Sequence, residues 1–130
     1  MSAKAISKKI LVVEDTGNVA DLMREMLRSF GHEVEVRLAV TEALATFEPG
    51  KFDLVITDYT MPGMNGLSFA HLLRQQSPAQ TILLITGSAY SITDGAAKPL
   101  PVDAVLQKPF SVDEFQRTVD GLFTAEKTVA

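Results

Sequence analysis

Four short apolar runs, at residues 10–13, 54–57, 81–86 and 102–107, constrain the fold of this chain more than any other feature. All four read as strands, and along the run at 54–57 nothing gains from facing water, which marks it as buried. The segments between them carry the other periodicity. Val19, Leu22, Met23, Met26, Leu27 and Phe30 repeat at i, i+3, i+4, i+7, the stripe of an amphipathic helix that Gly31 stops. Thr16-Gly17-Asn18 forms a break and capping region ahead of it. Residues 33–37 alternate polar and apolar, as a half-exposed edge strand does. Residues 41–47 read as a short helix closed by Pro49-Gly50. Residues 67–75 read as a helix with Phe69, Leu72 and Leu73 on one stripe, broken by Pro78. Ser111 and Glu114 match a capping box, opening a last helix that carries Val112, Phe115, Val119, Leu122 and Phe123. Five strands alternating with helices predict a parallel sheet covered on both faces, a doubly wound α/β domain.

One crossover resists the pattern. A fourth helix is expected between the strands ending at Thr86 and Gln107, yet Gly95 costs about 1 kcal/mol inside a helix, and Pro99 and Pro101 forbid its continuation. A short helix or an irregular loop is expected there. The 130 residues, 46% of them hydrophobic, suit one core. The expected division is a frayed or disordered leader over residues 1–8, one domain over 9–124, and a frayed tail over 125–130. No run approaches the roughly 18 apolar residues of a membrane span. The basic start leads into only four apolar residues, short of the about 7–15 of a secretion signal, so a cytoplasmic protein away from membranes is expected. Cysteine is absent, which removes disulfides and thiolate chemistry. A net charge of −4 without a basic cluster argues against nucleic acid as a partner. His32 and His71 lie far apart without ligand spacing and read as surface or boundary residues.

In a sheet of the flavodoxin-like order 2-1-3-4-5, the first, third, fourth and fifth strands finish near one another. Their ends here are Glu14-Asp15, Asp58, Thr86 and Lys108. Each has an ordinary reading alone: a turn starter, a helix cap, a turn, an exposed corner. Converging at the carboxyl rim, where α/β proteins keep their ligands, they point to chemistry. Three crowded carboxylates repel by about 1 kcal/mol per pair at 4 Å in water, and by more towards the interior. Magnesium relieves this with oxygen ligands and retained waters, manganese fits the same set, and zinc lacks its histidine or cysteine. A metal, a carboxylate nucleophile, an ammonium and a hydroxyl make a coherent set for phosphoryl transfer. The metal would take one phosphoryl oxygen, Lys108 a second, and the Thr86 hydroxyl would donate to a third.

The segments 10–15, 54–66, 85–87 and 108–110, with Asp58 leading into Met61-Pro62-Gly63-Met64-Asn65-Gly66 and Lys108 into Pro109-Phe110, resemble the receiver domain of two-component response regulators. The resemblance runs from about Lys9 to Phe123. It implies that Asp58 accepts a phosphoryl group from a phosphohistidine on a sensor histidine kinase or a histidine phosphotransfer protein. It further implies that Asp15 binds Mg²⁺ directly, Glu14 through water, with Asp58 and the Thr60 backbone carbonyl completing the ligands. Thr86 and Lys108 would hold the phosphoryl group, and the Lys108-Pro109 bond is expected to be cis. Thr60 and Ser88 would flank the path of the hydrolytic water. Two departures stand out. The family places an aromatic ring three residues before the lysine; Val105 stands there, and Tyr90, four residues past Thr86, is a candidate to replace it. The Gly95, Pro99, Pro101 crossover implies an altered output surface, read by an unidentified downstream protein.

The implied function is a phosphoacceptor module that catalyses only its own phosphorylation and dephosphorylation, without a separate effector domain. It would be a stand-alone regulator, a phosphate shuttle or sink, or a receiver from a hybrid kinase, to which residues 100–110 bear some likeness. Three rivals fare worse. A haloacid-dehalogenase-like phosphatase needs a second acid where Thr60 stands. A flavodoxin-like binding module needs an anion-binding loop where Glu14-Asp15 stand. A receiver that is never phosphorylated would not need Asp58, Asp15, Thr86 and Lys108 together.

Overall fold

The computed structural model describes residues 7–87 and 100–128. Among these residues are five strands, β1 (Lys9–Val13), β2 (Glu33–Arg37), β3 (Leu54–Asp58), β4 (Ile82–Thr86) and β5 (Ala104–Gln107), and four helices, α1 (Gly17–Ser29), α2 (Val40–Thr46) and α3 (Gly66–Gln76) after the first three strands and α4 (Val112–Thr128) after β5. All neighbouring strands are parallel, in the order β2-β1-β3-β4-β5. The doubly wound, flavodoxin-like arrangement read from the sequence is therefore the fold.

Strand periodicity divides the core in two. Ile10, Val12, Leu54, Ile56 and Ile85 face Met23 and Leu27 of α1 and Phe115 and Val119 of α4. Leu11, Val13, Val55 and Ile82 face Val40 and Ala43 of α2 and Phe69, Ala70 and Leu73 of α3. Burial of each large side chain contributes about 1.5–3 kcal/mol, so both faces of the sheet are strongly held. β3 and β4 are buried throughout, whereas β2 is half-exposed, as its alternation predicts for an edge.

Local signals are met with some corrections. The capping box is formed: Ser111 Oγ accepts from the Glu114 amide at 3.0 Å, and a Glu114 carboxylate oxygen accepts from the Ser111 amide at 3.3 Å. Thr16 takes the N-cap position of α1 but makes no side-chain capping bond. Leu22 is 59% exposed, not on the buried stripe; Ala20 takes the inward place beside Met23 and Leu27, which turns Leu22 beyond the margin of the sheet-facing surface. His32 is buried rather than superficial, because it follows the Gly31 turn inward. Its ring edge meets Phe123 at 5.5 Å, and its Nδ1 accepts from the Lys8 amide at 3.2 Å. β5 begins at Ala104 instead of residue 102, since the Asp103 carboxylate already accepts from the Ile82 amide at 2.8 Å and from Arg74 at 2.6 Å. Ser88, Tyr90 and the crossover from Ser91 through Pro99 lie outside the described residues.

Candidate functional site

The carboxyl ends of the strands bring Glu14, Asp15, Asp58 and Lys108 together. Glu14 extends β1 by one ladder bond, its amide donating to the Arg37 carbonyl at 3.1 Å. By strand parity its side chain follows Ile10 and Val12, on the α1/α4 side of the sheet. Asp58 follows Leu54 and Ile56, and Lys108 follows Leu106, to the same side. Parity alone thus sends two acids and a cation from three strands into one corner.

The three carboxylates meet there. Glu14, Asp15 and Asp58 each contribute an oxygen to a cluster whose members lie within 4.8 Å of one another. Asp15 is exposed, while Glu14 and Asp58 are 1% and 6% exposed. Glu14 Oε2 accepts from the Thr16 amide at 3.1 Å, which turns the carboxylate inward over the start of α1. Its other oxygen, Oε1, is buried without a hydrogen-bond partner. An orphaned buried carboxylate oxygen is costly, and a cation bound here would satisfy it. The donor set is all oxygen, which suits a hard divalent ion.

Electrostatics follow from this packing. Burial pushes the Glu14 carboxyl above its ordinary value of 4.5; the Thr16 amide opposes that, the neighbouring Asp58 and Asp15 charges push it further, and Lys108 counters them. The Lys108 ammonium lies 3.1 Å from Asp58 Oδ1. Its own amide donates to the Thr86 carbonyl at 2.8 Å, which ties the cation to the end of β4, and the Lys108-Pro109 bond is cis as expected. Thr86 is buried as the last residue of β4 and pairs with Gln107. Val105 is half-buried on the edge strand, opposite Leu84.

The loop after Asp58 is fixed at both ends. The Tyr59 amide donates to the Ile85 carbonyl at 2.8 Å, and the Gly66 amide donates to the Tyr59 carbonyl at 2.8 Å. Gly63 turns the loop with φ of 83°, a region glycine enters without strain. Thr60 is exposed within it, two residues from Asp58. Asn65 caps α3 through its Oδ1, which accepts from the Ser68 amide at 2.9 Å. Three contacts were not read from the sequence: this cap, the Glu14–Thr16 bond, and a bond from Thr57 Oγ1 to the Asp58 carbonyl at 3.0 Å. The Asn-Gly-Leu-Ser spacing signals the cap; the other two depend on tertiary placement.

Residues 10–120 match the family model of the response regulator receiver domain. The chain is 34% identical over 105 residues to a response regulator receiver protein of Anaeromyxobacter, a stretch covering 81% of this chain and 44% of that one. It spans about half the length of the curated relatives it matches. Among solved structures it is similar to the response regulator TrrA of Thermotoga maritima in complex with Mg²⁺–BeF, with 35% identity and a TM-score of 0.79 over 88% of this chain and 98% of that one. It is also similar to TrrA in complex with the histidine kinase ThkA, with 36% identity and a TM-score of 0.76 over 88% and 97%.

Proposed function

This chain belongs to the response regulator receiver domain family, and from that premise we propose that Asp58 is its phosphoacceptor, charged by a phosphohistidine donor in a Mg²⁺-dependent reaction. The observation that carries this reading is the convergence of two further carboxylates and the Lys108 ammonium on the Asp58 side chain. TrrA, the similar protein, has been captured with Mg²⁺–BeF and with a histidine kinase, which supports the same metal and the same class of donor here.

In the proposed reaction an Asp58 carboxylate oxygen attacks phosphorus, the bond from phosphorus to the donor imidazole nitrogen breaks, and the electron pair leaves with the imidazole. Glu14, Asp15, Asp58 and the Thr60 carbonyl would hold Mg²⁺, which supplies neutralisation of the crowded carboxylates and of phosphoryl charge when bound. Lys108 neutralises a second phosphoryl oxygen from its tether on the Thr86 carbonyl, and the Thr86 hydroxyl donates to a third. Uptake and loss of this group are the chain's own catalysis. The phosphoryl group adds about two negative charges, and the new charge biases the equilibrium of the surface that a downstream protein reads. Among the described residues no helix is long and apolar enough to cross a membrane, and the reading places the module in the cytoplasm beside the kinase domain.

The test is incubation with acetyl phosphate and Mg²⁺ followed by intact mass. One added phosphoryl group is expected on the wild type and none on Asp58→Asn. No adduct on the wild type, or an adduct that survives in the variant, overturns the assignment.

A further inference from the structure

We propose that Gly66 is a positioning residue for Asp58: by lacking a Cβ, it lets the first turn of α3 seat against the Asp58 carbonyl and so fixes the main chain from which the acceptor carboxylate projects. This rests on reading Asp58 as the phosphoacceptor.

Gly66 opens α3, and its φ is not positive, unlike that of Gly31, Gly50 and Gly63. Backbone freedom therefore does not explain glycine at this position. Alanine would favour the helix by up to about 1 kcal/mol. Space explains it instead. A Cβ on Gly66 would overlap the Asp58 carbonyl oxygen, approach its carbonyl carbon to 3.1 Å, and meet Leu84 Cδ1 at 2.7 Å. Gly17, Gly50, Gly63, Gly87 and Gly121 have nothing within 4 Å of an added Cβ. Of these six positions, Gly66 alone is crowded.

Two groups meet the Asp58 carbonyl. Thr57 Oγ1 donates to it at 3.0 Å, and Gly66 lies against it from α3. The Leu84 methyl can swing aside, but a peptide carbonyl moves only with its chain. α3 is anchored by buried Phe69, Ala70 and Leu73, and β3 is a central strand. Asp58, the last residue of β3 before the loop, is the place where displacement is easiest. A shift there moves the carboxylate away from Lys108 and from its two acidic neighbours, and misplacement by about 1 Å can cost a hundredfold in rate.

Gly66→Ala, Gly66→Ala with Leu84→Val, Asn65→Ala and Thr57→Val are compared with wild type for Mg²⁺-dependent uptake from acetyl phosphate. Urea unfolding and the metal-free amide NMR shifts of Asp58 and Tyr59 are measured alongside. Gly66→Ala is expected to fold, to move both amide shifts, and to lose at least about tenfold in uptake. Leu84→Val, which clears only the side-chain contact, should not restore it. Asn65→Ala weakens the start of α3 without crowding Asp58 and should keep uptake near wild type; Thr57→Val, which removes the hydroxyl bond to the Asp58 carbonyl, should lose a smaller factor. Wild-type uptake in Gly66→Ala or Thr57→Val, restoration by Leu84→Val, an equal loss in Asn65→Ala, or failure of the alanine chain to fold each overturns the proposal. A wild type that takes up no phosphoryl group overturns the acceptor reading instead, and the amide shifts still decide whether Gly66 sets the Asp58 main chain.

Discussion

The Lys108 ammonium meets Asp58 Oδ1 at 3.1 Å although β4 separates the strands that carry the two residues. The lysine is partly exposed, so the pair contributes about 1 kcal/mol at most to stability, and its consequence lies in reactivity. Lys108→Ala is expected to leave the urea midpoint nearly unchanged and to lower phosphoryl uptake by on the order of a hundredfold, the usual cost of losing a donor aimed at developing charge. Lys108→Arg should recover only part of it, because a planar fork does not replace a point charge at that corner. Initial rates by intact mass check both.

Glu14 makes metal-free stability depend on pH. A carboxyl whose folded value is raised binds its proton more tightly in the folded chain. Stability is therefore full below the ordinary 4.5 and declines as pH climbs through the raised value. In chelator, Glu14→Gln should flatten that decline and be more stable than wild type at neutral pH. Adding Mg²⁺ should reverse the order, with about 2.7 kcal/mol gained by wild type at a hundred times its dissociation constant. Urea titrations across pH, with and without Mg²⁺, measure this.

At the opposite end of the sheet, burial lowers the His32 value below the ordinary 6.5, with Asp120 and Asp53 opposing the shift and Lys8 adding to it. The unfolded chain then binds the proton more readily. Stability present above 6.5 is lost as pH falls through the lowered folded value. His32→Asn, which keeps an acceptor for the Lys8 amide, should remove this acid-side slope, and thermal unfolding across pH would show it.

Asp103 joins three elements, since its carboxylate accepts from Arg74 of α3 and from the first amide of β4, just ahead of β5. Asp103→Ala should destabilise by about 1–3 kcal/mol, the cost of leaving the partly buried Ile82 amide unsatisfied. Arg74→Ala should cost less, because that amide stays paired. Chemical unfolding of the two variants separates the contributions.

The fold was legible because its signals are local and repeated. Apolar runs that end in polar residues define β1, β3 and β4, and the Ser111–Glu114 box marks the start of α4. The convergence of Glu14, Asp15, Asp58 and Lys108 was legible because strand ends meet once the sheet order is known. What escaped depends on distance across the fold. Leu22 sits near an apolar stripe in sequence, but smaller Ala20 faces the sheet. His32 is polar, and only the arrival of Phe123 from the far end of the chain explains its burial. Gly66 was legible only as part of a motif, and the space it leaves is set by a carbonyl eight residues earlier.

The register of the sheet carries one more consequence. Val13 lies opposite Thr57, Asp58 opposite Ile85, and Thr86 opposite Gln107. A slip of one residue in any of these pairings would send that strand's terminal side chain to the other face. The pocket of acids and its cation therefore have no counterpart in a misregistered or partly formed sheet, where each segment is an inert peptide. On the proposed function, competence for uptake of a phosphoryl group and completion of the sheet would then be a single event.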